Sequence, residues 1–171
     1  MPAAEVRRLA YGTQALQVSV TNRYGATTQL SPSLTVDTRA PGQNANGTDE
    51  AIAVPVVVLT EAVNATPCIN AAELADGLQA QVTLPTGSVV GDKLEIAVTA
   101  PNGTVRVFSH TLIQDDITSG TAVVILPTST VAENGTYSLT ATTTDVAGNT
   151  SKASAPLSFT LDTLAPGQNA D

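Results

Sequence analysis

The chain has 171 residues, 15 of them acidic against 7 basic, which gives a formal net charge of −8; only 3% are aromatic and there is no Trp. Without a basic patch to displace phosphate counterions, nucleic-acid binding is not expected. No stretch approaches the roughly 18 apolar residues of a membrane-spanning helix, so direct membrane insertion is not expected either. The single cysteine, Cys68, allows no internal disulfide and reads as a small residue near a loop.

Residues 1–10, with Arg7 and Arg8, match nothing else in the chain and contain no apolar core of a signal peptide. Segment 11–37 holds about two strands' worth of alternating residues. From Ile52 to Leu59 a strand is predicted. Residues 61–77 form a longer connection, with a helical turn at Ala71 to Leu74. Leu78, Ala80, Val82 and Leu84 lie on one face of a strand that ends at Pro85-Thr86-Gly87. Leu94, Ile96 and Val98 line one face of the next. Pro101-Asn102-Gly103 is a hairpin signal, and Asn-Gly predicts a type I′ turn. Val105 to about Leu112, Thr121 to Leu126, Gly135 to Thr144 and Ala153 to Leu161 complete the set. Seven strands in about 110 residues, built from Val, Ile, Leu and Thr with turn signals between, predict an all-β, Ig-like two-sheet Greek-key sandwich. Tyr137 stands at the start of the sixth strand, where a tyrosine corner can form.

Eight of the nine residues Asp37-Thr38-Arg39-Ala40-Pro41-Gly42-Gln43-Asn44-Ala45 return 125 positions later, beginning at Asp162 (position 37 to position 162). Upstream, Gly12-Thr13, Leu16, Thr21 and Gly25 align with Gly135-Thr136, Leu139, Thr144 and Gly148. A long word repeated at about one-domain spacing marks a tandem array. The expected organisation is therefore residues 1–41, the C-terminal part of a preceding repeat plus linker; residues 42–162, one complete repeat; and residues 163–171, the start of the next linker.

Thr144-Asp145-Val146-Ala147-Gly148-Asn149-Thr150-Ser151, followed by Thr160-Leu161-Asp162-Thr163-Leu164-Ala165-Pro166, resembles the closing motif of bacterial Ig-like tandem repeats in giant surface adhesins exported by type I secretion. Ile69-Asn70-Ala71-Ala72-Glu73-Leu74 and the run from Leu84 to Asp92 resemble two further elements of that family. The resemblance covers most of 56–166. It implies a structural extender at the bacterial cell surface or in a biofilm, projecting a distal adhesive domain, with calcium at domain junctions. In the family's first loop, however, this chain carries Ala62 and Thr66 where carboxylates are expected and Pro67 in place of a glycine.

In Ig order, the loops after the second, fourth and sixth strands share the N-terminal pole. Asp92, Asp115, Asp116 and Asp145 fall there, and Asp37, Asp49 and Glu50 lie in the linker entering that pole. Glu61, Glu73, Asp76, Glu133 and Asp162 fall at the opposite pole. Calcium takes six to eight oxygens from carboxylates, amides, carbonyls and water. The expected junction site is Asp37 with Asp145 and Asn149, joined by Asp115 or Asp116, and Asp162 is the counterpart of Asp37 at the next junction. Asn22 replaces the Asp145 equivalent in the partial copy, which should bind calcium less well. The competing reading is that these acids serve solubility alone.

Five Asn-x-Ser/Thr sequons, at Asn46, Asn64, Asn102, Asn134 and Asn149, read as turn chemistry. His110, the only histidine, has no second ligand nearby in sequence and is expected to face solvent from a strand. Asp115-Asp116 lacks the aromatic platforms that sugar cleavage uses, and no enzyme is expected. The alternative to an extender is a ligand-binding module whose pole loops grip a glycan or a host protein, which predicts exposed aromatics on those loops. The expected partners are neighbouring repeats of the same chain, with self-association through the incomplete N-terminal repeat as a further route.

Overall fold

The computed structural model describes residues 10–43, 56–59 and 68–165. The start of the strand expected from Ile52, the substituted loop at Ala62, Thr66 and Pro67, the acids Asp49, Glu50 and Glu61, and the sequons Asn46 and Asn64 lie outside the described residues. The chain divides into two compact units, Met1–Arg39 and Ala40–Asp171.

In the first unit, β1 (Gly12–Ala15), β2 (Val18–Thr21), β3 (Thr27–Leu30) and β4 (Ser33–Val36) form one long hairpin. β2 pairs with β3 and β1 with β4, both antiparallel, in register from Thr21↔Thr27 to Gly12↔Val36. Pro32 has no N–H to give the ladder, so the strands break there, but its carbonyl still accepts from the Leu16 N–H at 2.8 Å.

In the second unit, β5 (Val56–Leu59), β7 (Leu78–Thr83) and β10 (Thr121–Leu126) make one sheet in the order β10-β7-β5. The other sheet runs β6-β12-β11-β8-β9, with β6 at Cys68–Ile69, β8 at Lys93–Thr99, β9 at Val105–Thr111, β11 at Gly135–Thr144 and β12 at Leu157–Leu161. All pairings are antiparallel except β6 with β12. Every second residue of β7, β8, β10 and β11 points inward, as the period of two requires. Leu78, Ala80, Val82, Leu94, Ile96, Val98, Leu126, Leu139 and Leu161 form an aliphatic core between the sheets. The expected all-β Ig-like sandwich is what forms, with aliphatic side chains supplying most of the burial.

Four local expectations change. Residues 61–77 are not all connection, because β6 adds two residues to the edge of the large sheet; a strand that short leaves no readable alternation. The hairpin at Pro101 is not type I′, since among the described residues none other than glycine has positive φ. Proline locks φ negative at the first central position of the turn. The loop instead takes three residues and closes with Gly103 at φ 81°. A helix, α1 (Gln114–Ser119), crosses from β9 to β10 where a plain loop was expected. Finally, β12 begins at Leu157 rather than at Ala153. Ahead of it Ser151 and Ser154 keep half of the ladder: their backbone N–H groups donate to Thr143 O and Ala141 O, both at 2.8 Å, while their hydroxyls accept from Thr143 N at 2.9 Å and Ala141 N at 3.0 Å.

The tyrosine corner is present. Tyr137 is 1% exposed, and its ring stacks on Phe159 at 5.3 Å between centroids. Its hydroxyl donates to Glu133 O at 2.8 Å and accepts from Glu133 N at 3.1 Å.

Candidate functional site at the domain poles

Strand register fixes which loops of the second unit share an end. Thr121 lies opposite Thr83, and Thr144 opposite Lys93. Loops 84–92, 112–120 and 145–156 therefore gather at the N-terminal pole, with Asp92, Asp115, Asp116 and Asp145 among them.

Three of these acids, Asp92, Asp116 and Asp145, are occupied locally. Asp145 closes the β11 turn: Oδ1 accepts from the Asn149 backbone N–H at 2.8 Å and Oδ2 from its side-chain amide at 2.9 Å. Asp116 Oδ2 accepts from the Ile113 N–H at 2.9 Å, capping α1, and pairs with His110 Nε2 at 2.8 Å. His110 is thus half-buried against a carboxylate, not simply turned to solvent. Asp92, which composition did not single out from its neighbours, is fully buried and accepts from Val89 N at 2.9 Å. It holds the loop from Leu84 to Asp92 in shape. Among the described residues, no group of three or more His, Cys, Asp or Glu side chains is placed to hold a metal ion. Hard oxygen donors of the kind calcium takes are nevertheless present: the Asp145 carboxylate and the Asn149 side chain are brought together by one turn, and Asp37 lies in the other unit.

The linker word has a structural task at this same pole. Ala40, Pro41 and Gly42 are buried within the second unit. Gly42 N donates to Thr86 O at 2.7 Å, and Gln43 folds back so that its Oε1 accepts from Ala40 N at 3.0 Å. Asp37 Oδ1 accepts from Arg39 N at 3.1 Å, and Asp162 Oδ1 from Leu164 N at 3.0 Å, the same turn in both copies.

At the opposite pole, Asn134 Oδ1 accepts from the Thr163 N–H at 3.0 Å and its hydroxyl at 2.9 Å. Asn102 Oδ1 accepts from Thr104 N at 2.9 Å. Asn102 acts as the turn residue expected of it, whereas Asn134 ties the loop before β11 to the segment that leaves β12. The Asn70–Leu74 element is a self-capped turn, Asn70 Oδ1 accepting from Glu73 N at 3.1 Å and Glu73 Oε2 from Asn70 N at 2.9 Å. A cavity of about 80 Å³ opens beside Asn102, Arg106, Thr130 and Tyr137, well under the roughly 300 Å³ at which ligand pockets begin. The large exposed aromatics among the described residues are Tyr11 and Tyr24; both belong to the first unit, and Arg39 stacks over Tyr11 at 3.6 Å from the ring centre.

A two-sheet sandwich with a tyrosine corner is compatible with many families; the decisive observation is that residues 79–163 match the family model of the bacterial Ig-like domain. That stretch is a bacterial Ig-like domain. Such a domain is a structural module, not an enzyme. Comparison with the curated proteins gives no match. Among solved structures, the chain is similar to a tetra-tandem repeat in the extending region of a large adhesion protein, at 17% identity and TM-score 0.49, over 91% of this chain and 33% of that one. A calcium-stabilised adhesin of an Antarctic bacterium that binds ice is similar at 23% identity and TM-score 0.38, over 90% and 32%. A 1.5-MDa bacterial ice-binding adhesin, described for its retention at the host cell surface, is similar at 17% identity and TM-score 0.41, over 95% and 45%. The chain therefore spans less than half the length of each solved chain it matches. This bacterial Ig-like domain resembles repeats of large adhesins. No helix among its described residues is long and apolar enough to cross a membrane.

Proposed function

We propose that this chain is a spacer segment of a bacterial cell-surface or biofilm adhesin, holding a distal adhesive domain away from the cell through tandem Ig-like repeats. The observation that carries this reading is internal. The turn at Asn22 and the turn at Asp145 make the same bonds: Asn22 N to Ala26 O at 2.9 Å against Asp145 N to Asn149 O at 3.0 Å, and Gly25 N to Asn22 O at 3.0 Å against Gly148 N to Asp145 O at 3.1 Å. The flanking threonine hydroxyls meet at 2.9 Å in both. A hairpin copied in the backbone bonds of its turn and in the threonine pair beneath it, followed each time by the same linker word, is the product of repetition, and repetition serves length.

Calcium at the junction completes the proposal. Asp37, Asp145 and Asn149 supply the donors, and Asp162 plays the part of Asp37 toward a following repeat. Asp116 joins only by giving up His110 or by sharing its second oxygen. An affinity of about 10⁻⁴–10⁻³ M suits an extracellular module. At about 10 mM calcium this adds about 1.4–2.7 kcal/mol of stability, a rise in melting temperature of roughly 5–10 °C. The test is thermal unfolding in calcium against excess EDTA, on the natural chain and on Asp145→Asn. Asn22 makes the equivalent Oδ1 bond, to the Ala26 N–H at 3.0 Å, so Asp145→Asn removes the charge and keeps the turn once the Asn149 side-chain amide flips to accept rather than donate. Its melting temperature in EDTA should match the natural chain and its calcium response should be lost. A natural chain that ignores calcium would leave the acids as solubility groups, and the stiffness would rest on the linker alone.

A further inference from the structure

Of the edge strands described in the second unit, β9 is the longest, with seven residues against six in β10 and two in β6. Bonds at its two ends fix which of its backbone groups are used. Ala100 N donates to Thr104 O and Leu112 N to Asp92 O, both at 2.8 Å. Even-numbered residues therefore bond β8, and the N–H and C=O groups of Val105, Val107, Ser109 and Thr111 point away from it. No described strand pairs along that side. Natural edges are guarded by proline, by outward charge, by a bulge or by shortness. β10 has a guard of its own. Leu84 N donates to Gly120 O, so Thr121 faces outward, and there Ser119 Oγ bonds its C=O at 2.9 Å and its N–H at 3.3 Å. The outward positions of β9 carry neither charge nor proline, and Val105 and Val107 are each 56% exposed.

We propose that this edge is a self-association surface, on which β9 of a second copy of this chain pairs antiparallel about a two-fold axis at Phe108. The inward face of the strand selects that occupant. Arg106, Phe108 and His110 stand there, opposite Val98, Ile96 and Leu94, and an inward charge such as Arg106 discourages an arbitrary apolar strand. Across the two-fold axis Arg106 meets His110 of the second copy, whose ring is bonded to Asp116 at 2.8 Å. The base gains an acid, and the symmetry repeats the gain. The two half-buried Phe108 rings meet on the axis, at a position without hydrogen bonds where side chains come closest. On either side Val105 exchanges backbone bonds with Thr111 of the second copy, and Val107 with Ser109. The two five-stranded sheets become one. A single strand edge buries less than the roughly 1,200 Å² of a stable interface, so one pair associates weakly. Paired domains run in opposite directions, which suits spacers reaching out from facing surfaces and adding many weak contacts. That use rests on the spacer reading above; the pairing itself rests on neither the spacer reading nor calcium.

The experiment is sedimentation equilibrium of the full chain in excess EDTA, from about 10 μM to about 1 mM, a span that covers weak association. The mass should rise reversibly from 17.4 kDa toward the dimer. Val107→Pro deletes an N–H that the β8–β9 ladder does not use, so its melting temperature in dilute solution should hardly move while the mass rise disappears. Register is read by cross-linking in a Cys68→Ser background. Val107→Cys and Ser109→Cys chains, mixed and mildly oxidised, should join, because bonded partners sit about 5.5 Å apart between Cα atoms, within disulfide reach. Each variant alone should not, since like positions are offset by two residues. A chain that stays monomeric throughout, leaving the edge to solvent or to a strand of another protein, would overturn the proposal. So would a dimer that survives Val107→Pro, whose contact must lie elsewhere, or Val107→Cys chains that cross-link to one another as readily as to Ser109→Cys. None of these results bears on the length of the tandem array, so the spacer reading stands or falls separately.

Discussion

Tyr137 joins two parts of the domain through one side chain. Its ring lies on Phe159 in the core, and its hydroxyl satisfies both the N–H and the C=O of Glu133. Removing the hydroxyl leaves two half-buried backbone groups without that partner and disturbs little else. Tyr137→Phe should cost about 1–2 kcal/mol and lower the melting temperature by roughly 5 °C; an unchanged melting curve would mean that water replaces the hydroxyl at no loss. At this scale the sequence was partly readable. A tyrosine just inside the sixth strand pointed to the corner, and the sequon at Asn149 pointed to a turn. The pairing of Asp116 with His110 was not readable. It depends on α1 starting directly after β9 and turning the helix N-terminus back over the strand, and six residues with no apolar period gave no sign of that helix.

The elements are held as much by their ends as by their alternation. Gly77 shows this where the chain enters β7. Its φ is +91°, and a Cβ there would sit 2.9 Å from Leu126 O and 3.1 Å from Ile125 Cγ2. Gly87 has nearly the same φ, +87°, with nothing within 4 Å of a Cβ. Both alanine substitutions force a conformation that side chains avoid, but only the first also drives a methyl into the end of β10. Gly87→Ala should cost about 1 kcal/mol and Gly77→Ala at least about 2 kcal/mol, read as the difference between their chemical-denaturation midpoints. Equal losses would show that the backbone at β10 yields without cost.

The strands themselves were legible because β7, β8, β10 and β11 each bury one face, and burial on one face writes a period of two into the sequence. β6 is too short to carry a period. The hairpin after β8 departs from the Asn-Gly pattern because Pro101 locks φ negative at the first central position, where a type I′ turn needs it positive. The late start of β12 was hidden because the Ser151 and Ser154 hydroxyls accept the Thr143 and Ala141 N–H groups that strand carbonyls would otherwise take.

For the whole molecule, the repeated word matters more than any single site. Its Ala40–Gly42 part is buried in the domain it precedes, so only Asp37, Thr38 and Arg39 separate β4 from that buried segment. Three residues reach about 10 Å at most, and two of them are already tied, Arg39 N to the Asp37 carboxylate and the Arg39 side chain over Tyr11. A spacer built from such units should lengthen in fixed steps. β11 has ten residues, which at about 3.3 Å each gives roughly 30 Å of sandwich per repeat. The gathering of acids at one pole was legible from strand order, since alternate loops must share an end. Whether those acids meet across a junction is decided by how successive repeats stack, and no single repeat encodes that.

The measurement that bears most directly on the spacer reading is small-angle X-ray scattering of polypeptides carrying two, three and four consecutive copies of residues 38–162, in calcium. The account predicts a maximum dimension that rises linearly, by at least about 30 Å for each added copy. Growth that falls away from linear, toward the roughly square-root dependence of units on flexible tethers or the still slower growth of a compact cluster, would contradict it.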